Sequence, residues 1–177
     1  MNVVAFAGFS GAGKTTLIER LIPLLRQQGL RVSVVKHAHH GLELDQPGKD
    51  TWRHREAGAY EVVAASPERL VLMREFERPT ELTVHDLIRA LHPGVDWVLV
   101  EGFGDCDLMK IEVWRASAGR VARYPEDPFV AAIATDSPDQ LPEPTSRPVL
   151  DLNDAPAVAA WLLDNQERVE YIPEAYA

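Results

Sequence analysis

The chain has 177 residues, 46% of them hydrophobic, and its 27 acidic against 18 basic side chains give a formal net charge of −9. This length suits one domain, which we place at residues 1–165 with a C-terminal tail at 166–177, and the acidic balance argues against binding to nucleic acid or to an anionic membrane surface. No stretch approaches the roughly 20 apolar residues of a membrane span, we expect no export signal, and a single cysteine predicts a reducing, cytoplasmic location.

The first predicted elements are a buried strand at 2–7 and a helix at 14–28, joined by a glycine-rich turn. The turn reads Gly-Phe-Ser-Gly-Ala-Gly-Lys-Thr, which is the phosphate-binding loop pattern in its proper place between a strand and a helix. Glycines let backbone N–H groups close around an anion, and the helix directs its positive end to the same point. Lys14 is expected to reach the β- and γ-phosphates of a nucleoside triphosphate, and Thr15 to ligate Mg²⁺. The predicted nucleotide-binding residues of this loop are Gly8, Ser10, Gly11, Ala12, Gly13, Lys14, Thr15 and Thr16.

A second strand is predicted at 31–36, and a polar loop rich in histidine follows it. Lys36, His37, His39 and His40 would then lie near the carboxyl end of a parallel strand, where ligands of such sheets bind. Lysine and histidine donate hydrogen bonds to anionic groups, so we predict that these four residues bind an anionic substrate or phosphate. Two alternatives stay open. The histidines bind a metal ion, although their spacing fits no tetrahedral zinc pattern, or the loop is simply polar.

A short helix is predicted from Asp50 to Ala57, and charged residues surround its start. Asp50, Arg53 and His54 share one helical face through their i, i+3 and i+4 spacing. This arrangement suits a switch-like element that senses the γ-phosphate or grips a second anion, with Lys49 and Arg53 as the anion-binding residues. Asp50 would assist Mg²⁺. The alternative is a solvated, ion-paired surface helix.

The predicted elements that follow are strands at 61–65 and 69–74, a helix at 83–91 and a buried strand at 97–100. Glu101 ends the last of these strands, at the edge of the sheet where ligands bind. A carboxylate from a neighbouring strand usually completes the magnesium site of a phosphate loop. We therefore predict that Glu101 ligates Mg²⁺ with Thr15, or orients the attacking water, and that it is catalytic together with Lys14. The alternative is an ordinary carboxylate at a strand end.

The remaining predicted elements are strands at 110–115, 129–134 and 149–152 and a helix capped by Asp154. Charged residues alternate with Ile111 and Val113, which favours an edge or partly exposed strand, and the tail shows no evident core face. The alternation of strands and helices predicts a three-layer α/β fold of the P-loop NTPase type, with a mostly parallel β-sheet flanked by helices. Exposed sheet edges at 61–74 and 110–115 would join two copies in a homodimer.

Asp136 follows the predicted strand at 129–134. A carboxylate in this place can accept both N1–H and the N2 amino group of guanine, so we predict that Asp136 reads the base and that the nucleotide is GTP rather than ATP. The alternative is that Asp136 caps the turn before Ser137 and Pro138.

Beyond the phosphate loop, the chain contains several more specific motifs in a fixed order. They are Lys-His-Ala-His-His at 36–40, Pro-Gly-Lys-Asp-Thr at 47–51, Arg-His-Arg-Glu-Ala-Gly-Ala at 53–59, Val-Leu-Val-Glu-Gly-Phe at 98–103 and Lys-Ile-Glu-Val at 110–113. With the loop and the Thr-Leu-Ile that follows it, they resemble the MobB family of molybdopterin-guanine dinucleotide biosynthesis adapter proteins. The resemblance covers most of residues 3–136.

This resemblance implies a GTP-binding homodimer that hydrolyses GTP weakly to GDP and phosphate and acts mainly as an accessory protein. It also implies a partner, the molybdenum cofactor guanylyltransferase, which joins GMP to molybdopterin. The expected ligands are GTP, Mg²⁺ and, as bound substrate, molybdopterin or molybdenum cofactor. The anionic pterin phosphate would be bound by Lys36, His39, His40, Lys49 and Arg53.

Two other functions could use the same phosphate loop. A small-molecule kinase would transfer the γ-phosphate, but it needs a base for the acceptor and usually a lid that carries arginine. A GTP-dependent metal-insertion chaperone would use His37, His39 and His40 as metal ligands.

Overall fold

The computed structural model describes residues 1–38, 41–42 and 44–176. Within them the strands are β1 (Asn2–Ala7), β2 (Val32–Lys36), β3 (Glu61–Ser66), β4 (Arg69–Arg74), β5 (Trp97–Glu101), β6 (Lys110–Trp114), β7 (Val130–Thr135) and β8 (Val149–Asp151). The α-helices are α1 (Lys14–Gln27), α2 (Asp50–Glu56), α3 (Val84–Arg89) and α4 (Ala155–Asp164). The chain divides into two compact units, one formed by residues 1–37 together with the chain from 83 onward, the other by residues 38–82.

The first unit is built on a six-stranded sheet in the order β2-β5-β1-β6-β7-β8, in which every neighbouring pair is parallel. Side chains of β1 alternate between its two faces, as a strand requires. Phe6 packs with Leu21 of α1 and Leu162 of α4 on one face, while Ala5 packs with Ile88 of α3 on the other. The predicted parallel sheet with a helical layer on each face is confirmed.

β6 differs from the prediction, because it lies inside the sheet between β1 and β7. Its charged side chains are buried because each has a partner. The Lys110 ammonium lies 2.6 Å from the Asp127 carboxylate, and the Glu112 carboxylate accepts the backbone N–H groups of Arg123 and Tyr124, both at 2.7 Å. The prediction of an exposed or edge strand at 110–115 is wrong, and this segment is not available as a dimer edge.

The C-terminal segment also has a core face that the sequence did not show. Val169 and Tyr171 are buried, and Glu170 forms an antiparallel bridge with Asn2. The Tyr171 hydroxyl lies 2.9 Å from Nδ1 of His85 on α3. The predicted boundary between a domain at 1–165 and a tail at 166–177 stays a prediction about folding, since packing alone does not define a folding unit.

The second unit contains α2 and an antiparallel hairpin of β3 and β4. The hairpin turns at Pro67, as the Ser-Pro pair predicted. In its register Val63 lies opposite Leu72 and Ala65 opposite Leu70, so these four side chains share one face. Val63, Leu70 and Leu72 are all exposed. This unit therefore presents an apolar sheet face to its surroundings.

Candidate nucleotide site

The loop between β1 and α1 has the backbone that its glycines predict. Gly8, Gly11 and Gly13 all have positive φ angles, of 138°, 80° and 106°, and Gly13 is the residue that begins α1 as its N-cap. At Gly8 a side chain would not fit, because a Cβ would lie 2.3 Å from the Val113 carbonyl oxygen on β6. The loop thus starts in direct contact with the neighbouring strand and ends at the positive end of a 14-residue helix.

Lys14 lies across the mouth of this loop. Its ammonium donates to the carbonyl oxygens of Gly8 at 2.7 Å and Phe9 at 2.8 Å. Partial burial lowers the pKa of Lys14 below its ordinary value, with the Lys36 charge adding to this effect and the Glu101 carboxylate opposing it. The lysine is therefore placed to exchange backbone oxygens for phosphate oxygens.

Glu101 at the end of β5 is the point on which several predicted residues converge. The Thr15 hydroxyl donates to its Oε1 at 2.7 Å, and the Lys36 ammonium lies 3.1 Å from the same oxygen. The convergence follows from the sheet, since β5 lies between β1 and β2 and places Glu101 level with Lys36. A hydroxyl and a carboxylate in contact are both oxygen ligands of the kind that Mg²⁺ takes in proteins, so this donor set fits the predicted metal.

The segment after Glu101 adopts a conformation that only certain residues tolerate. Gly102 has a φ of 94° and Phe103, although not a glycine, has a φ of 49°. A Cβ at Gly102 would lie 2.9 Å from the Cβ of His37, and the His37 ring stacks on Phe103 with 4.5 Å between centroids. The close approach of the two chain segments thus requires Gly102, and the stacking holds the His37 ring against Phe103.

Arg115 is a residue of this site that the sequence analysis missed. Its Nε donates to the Ala12 carbonyl oxygen at 2.9 Å, and its guanidinium also pairs with the Asp136 carboxylate. The other Asp136 oxygen accepts the Ser137 hydroxyl at 2.8 Å. Arg115 follows β6 directly, so its position at the carboxyl end of a central strand was the available signal. The Arg115 side chain therefore connects Asp136 to the phosphate loop. The role of Asp136 in reading guanine stays a prediction.

The other predicted residues are distributed as follows. Ser10, Gly11 and Thr16 are exposed on the loop or the first turn of α1. His39 and His40 lie outside the described residues. Lys49, Asp50 and Arg53 belong to the second unit, where Lys49 is the N-cap of α2 and the exposed Asp50 and Arg53 lie 3.9 Å apart. The Mg²⁺ role of Asp50 and the anion roles of Lys49 and Arg53 stay predictions.

No helix in the described part of the chain is both long and apolar enough to cross a membrane. The described residues also contain no cluster of three or more His, Cys, Asp and Glu side chains arranged to hold a metal ion.

Comparison with known proteins gives a consistent result. The family model for "Molybdopterin guanine dinucleotide synthesis protein B", MobB, matches residues 3–136. The chain is 39% identical over 163 residues to a molybdopterin-guanine dinucleotide biosynthesis adapter protein of Haemophilus influenzae, covering 90% of this chain and 86% of the relative. It is 38% identical over 164 residues to the Escherichia coli protein of the same name, covering 92% and 91% of the two chains.

Solved structures agree with this assignment. Bacillus subtilis MobB superposes with a TM-score of 0.71 at 27% identity, covering 94% of this chain and 98% of that one. A MobB homolog from Bacillus stearothermophilus gives a TM-score of 0.68 at 25% identity and covers 94% of this chain and 99% of its own. The predicted P-loop NTPase-like fold is thereby confirmed, and the chain belongs to the MobB family, the adapter proteins of molybdopterin guanine dinucleotide biosynthesis.

Proposed function

We propose that this chain binds GTP with Mg²⁺, hydrolyses it slowly to GDP and phosphate, and assists the molybdenum cofactor guanylyltransferase as its adapter. The observation that carries the proposal is the contact between the Thr15 hydroxyl and the Glu101 carboxylate at 2.7 Å. This contact unites the end of the phosphate loop with the adjacent strand, and it offers two oxygen ligands beside the lysine that binds phosphates.

The electrostatics of the loop support binding of a highly charged anion. The chain as a whole is acidic, with a net charge of −9, so a site for a triphosphate needs local positive charge. Lys14 and Lys36 supply it beside the Glu101 carboxylate, and the amino end of α1 adds its partial charge. Guanine recognition by Asp136 is part of the proposal, in which the Arg115 pair holds that carboxylate near the loop.

The proposed slow hydrolysis rests on the contacts of Glu101. Among the described residues, Glu101 is the only one whose carboxylate contacts Thr15. Glu101 Oε1 accepts from both the Thr15 hydroxyl and the Lys36 ammonium. With Oε1 occupied by these two donors, the proposal assigns Glu101 to holding Thr15 and the metal ion rather than to accepting a proton from water. Binding and presentation of GTP, rather than fast turnover, suit an accessory protein.

The second ligand in the proposal is molybdopterin or molybdenum cofactor, whose phosphate needs cationic partners. Lys36 and His37 lie at the carboxyl end of β2, and Lys49 and Arg53 are exposed at the start of α2 in the second unit. The names of the Haemophilus and Escherichia relatives associate them with the guanine dinucleotide of this pterin. The proposal assigns the pterin phosphate to the cations of one unit, either Lys36 and His37 in the first or Lys49 and Arg53 in the second.

The test is a titration of fluorescent GTP against wild type and Lys14→Ala in the presence of Mg²⁺. Loss of the ammonium should weaken GTP binding about a hundredfold, the size of a strong charge-assisted contact in a water-poor site. Phosphate release should fall in parallel, while the thermal melting curve stays the same. Arg26→Ala, which removes a charge at the other end of α1, is the matched control and should bind as wild type. Equal GTP affinity in wild type and Lys14→Ala would overturn the proposal.

A homodimer is also part of the proposal. The apolar face formed by Val63, Leu70 and Leu72 is exposed on the β3–β4 hairpin, and a second copy of the chain would cover it. The supporting argument is that a two-stranded hairpin with an uncovered apolar face is marginal in water and gains stability from a matching face.

A further inference from the structure

Lys36 was predicted to bind an anionic ligand, but in the structure its ammonium contacts the Glu101 carboxylate. Its ammonium lies 3.1 Å from Glu101 Oε1, the same oxygen that accepts the Thr15 hydroxyl at 2.7 Å. Lys36 and Glu101 are register partners on β2 and β5, so the pair is set by the sheet itself. The Lys36 side chain is 55% exposed and that of Glu101 only 12%. The lysine is thus the mobile member of the pair and the carboxylate the fixed one.

These contacts compete with a divalent cation for the same groups. For Glu101 Oε1 and Thr15 to ligate Mg²⁺ together, the hydroxyl hydrogen has to turn away from Oε1 and the ammonium has to leave that oxygen. A lysine ammonium beside the same oxygen would also repel the ion. The Lys36 ammonium therefore supplies beside Glu101 the positive charge that a bound cation would otherwise supply.

Bound GTP would offer the displaced Lys36 ammonium another partner. Thr15 follows Lys14, the residue that the loop assigns to the β- and γ-phosphates, so the Lys36 ammonium starts near the γ-phosphate end of the site. The terminal phosphate of GTP is the nearest anion that binding would introduce there. GDP has no such group.

We propose that Lys36 exchanges partners when the site is filled: it holds Glu101 in the nucleotide-free protein and binds the terminal phosphate of GTP once Glu101 ligates Mg²⁺. Lys36 is then a positioning and specificity residue that favours GTP over GDP. This inference rests on the proposed GTP binding.

The test is the variant Lys36→Met, which keeps an unbranched side chain one atom shorter and removes the charge. In the nucleotide-free protein, Mn²⁺ serves as the probe, since its EPR signal reports the free ion. Affinity for Mn²⁺ should rise about fivefold in the variant, as expected for removal of one partly exposed ion pair. Affinity for GTP in the presence of Mg²⁺ should fall by about the same factor, while affinity for GDP changes by less than about twofold. A merely structural role of Lys36 would not move the two affinities in opposite directions.

The controls separate this inference from the proposed function. Arg26→Met removes one positive charge from the far end of α1 and should change neither affinity. In a Glu101→Gln background Lys36→Met should no longer raise Mn²⁺ affinity, because the competition acts through that carboxylate. Unchanged or lower Mn²⁺ affinity in Lys36→Met, or equal losses for GTP and GDP, would overturn the inference. If wild type itself bound no GTP, the proposed function would fail, and the Mn²⁺ titration alone would decide whether Lys36 competes at Glu101.

Discussion

Gly8 lies where β1 leaves the sheet, and its backbone passes close to β6. A Cβ there would lie 2.3 Å from the Val113 carbonyl oxygen, and the φ angle of 138° disfavours any side chain. We expect Gly8→Ala to lower the free energy of unfolding by about 3 kcal/mol, because steric overlap and backbone strain add. GTP affinity should fall as well, since the loop must shift away from β6. Urea unfolding and GTP titration measure the two effects.

Gly29 provides a matched control for this prediction. Its φ is also positive, at 79°, but nothing lies within 4 Å of the position that a Cβ would take. Gly29→Ala should therefore lose only about 1 kcal/mol, from backbone strain alone. Equal losses in the two variants would show that the contact with Val113 relaxes easily.

At the scale of single residues, the sequence predicted those side chains whose position follows from a motif or a strand end. Glu101 was identified because it ends a buried strand, and the structure places it against Thr15. Lys36 was identified as a cation at a strand end, but its contact with Glu101 depends on the strand order, which one sequence does not reveal. Arg115 was missed because its strand was predicted at an edge of the sheet, whereas β6 lies next to β1 and brings Arg115 to Ala12, 103 positions away in sequence.

At the scale of elements, the strands and helices of the sheet were predicted nearly to their ends, but the surroundings of β6 were not. Alternating charges normally indicate a face in contact with water. In β6 the charges are internal because the segment that joins β6 to β7 folds back and supplies Asp127 and the backbone N–H groups of residues 123 and 124 as partners. The buried side of the C-terminal segment was not predicted because Tyr171 packs against residues far away in sequence.

Glu112 gives this buried strand a testable dependence on pH. Burial raises the pKa of Glu112 above its ordinary value of 4.5, although two backbone N–H donors and the Arg123 charge oppose the rise. The folded state thus holds the proton more tightly than the unfolded state. Tighter proton binding by Glu112 therefore adds its whole contribution to the free energy of unfolding below about pH 4.5. This contribution is lost as the pH rises through the raised pKa.

Glu112→Gln isolates this contribution. Below the window the protonated carboxyl and the amide each offer one carbonyl oxygen to the two backbone N–H groups, so the free energies of unfolding should agree to within about 1 kcal/mol. As the pH rises above 4.5, wild type should lose stability relative to the variant, because the amide does not titrate. Urea unfolding at pH 4, 5, 6 and 7 (about one-unit steps across the window) measures the difference, and other carboxyl groups cancel in the comparison. A wild type that gains stability relative to the variant as the pH rises would show that the hydrogen bonds outweigh burial.

At the scale of the whole molecule, Leu70 tests the proposed homodimer because it is the most exposed of the apolar side chains on the hairpin face, at 70%. Leu70→Lys would place an unpaired charge in the interface, so dimerisation should weaken by on the order of a hundredfold. Sedimentation equilibrium at tens of micromolar (about the range for a modest interface) should then show monomer for the variant and dimer for wild type. Val121→Lys, at an 81% exposed position of the first unit, is the matched control and should remain dimeric. A monomeric wild type would reject the homodimer, whereas a dimeric Leu70→Lys would place the interface on another surface.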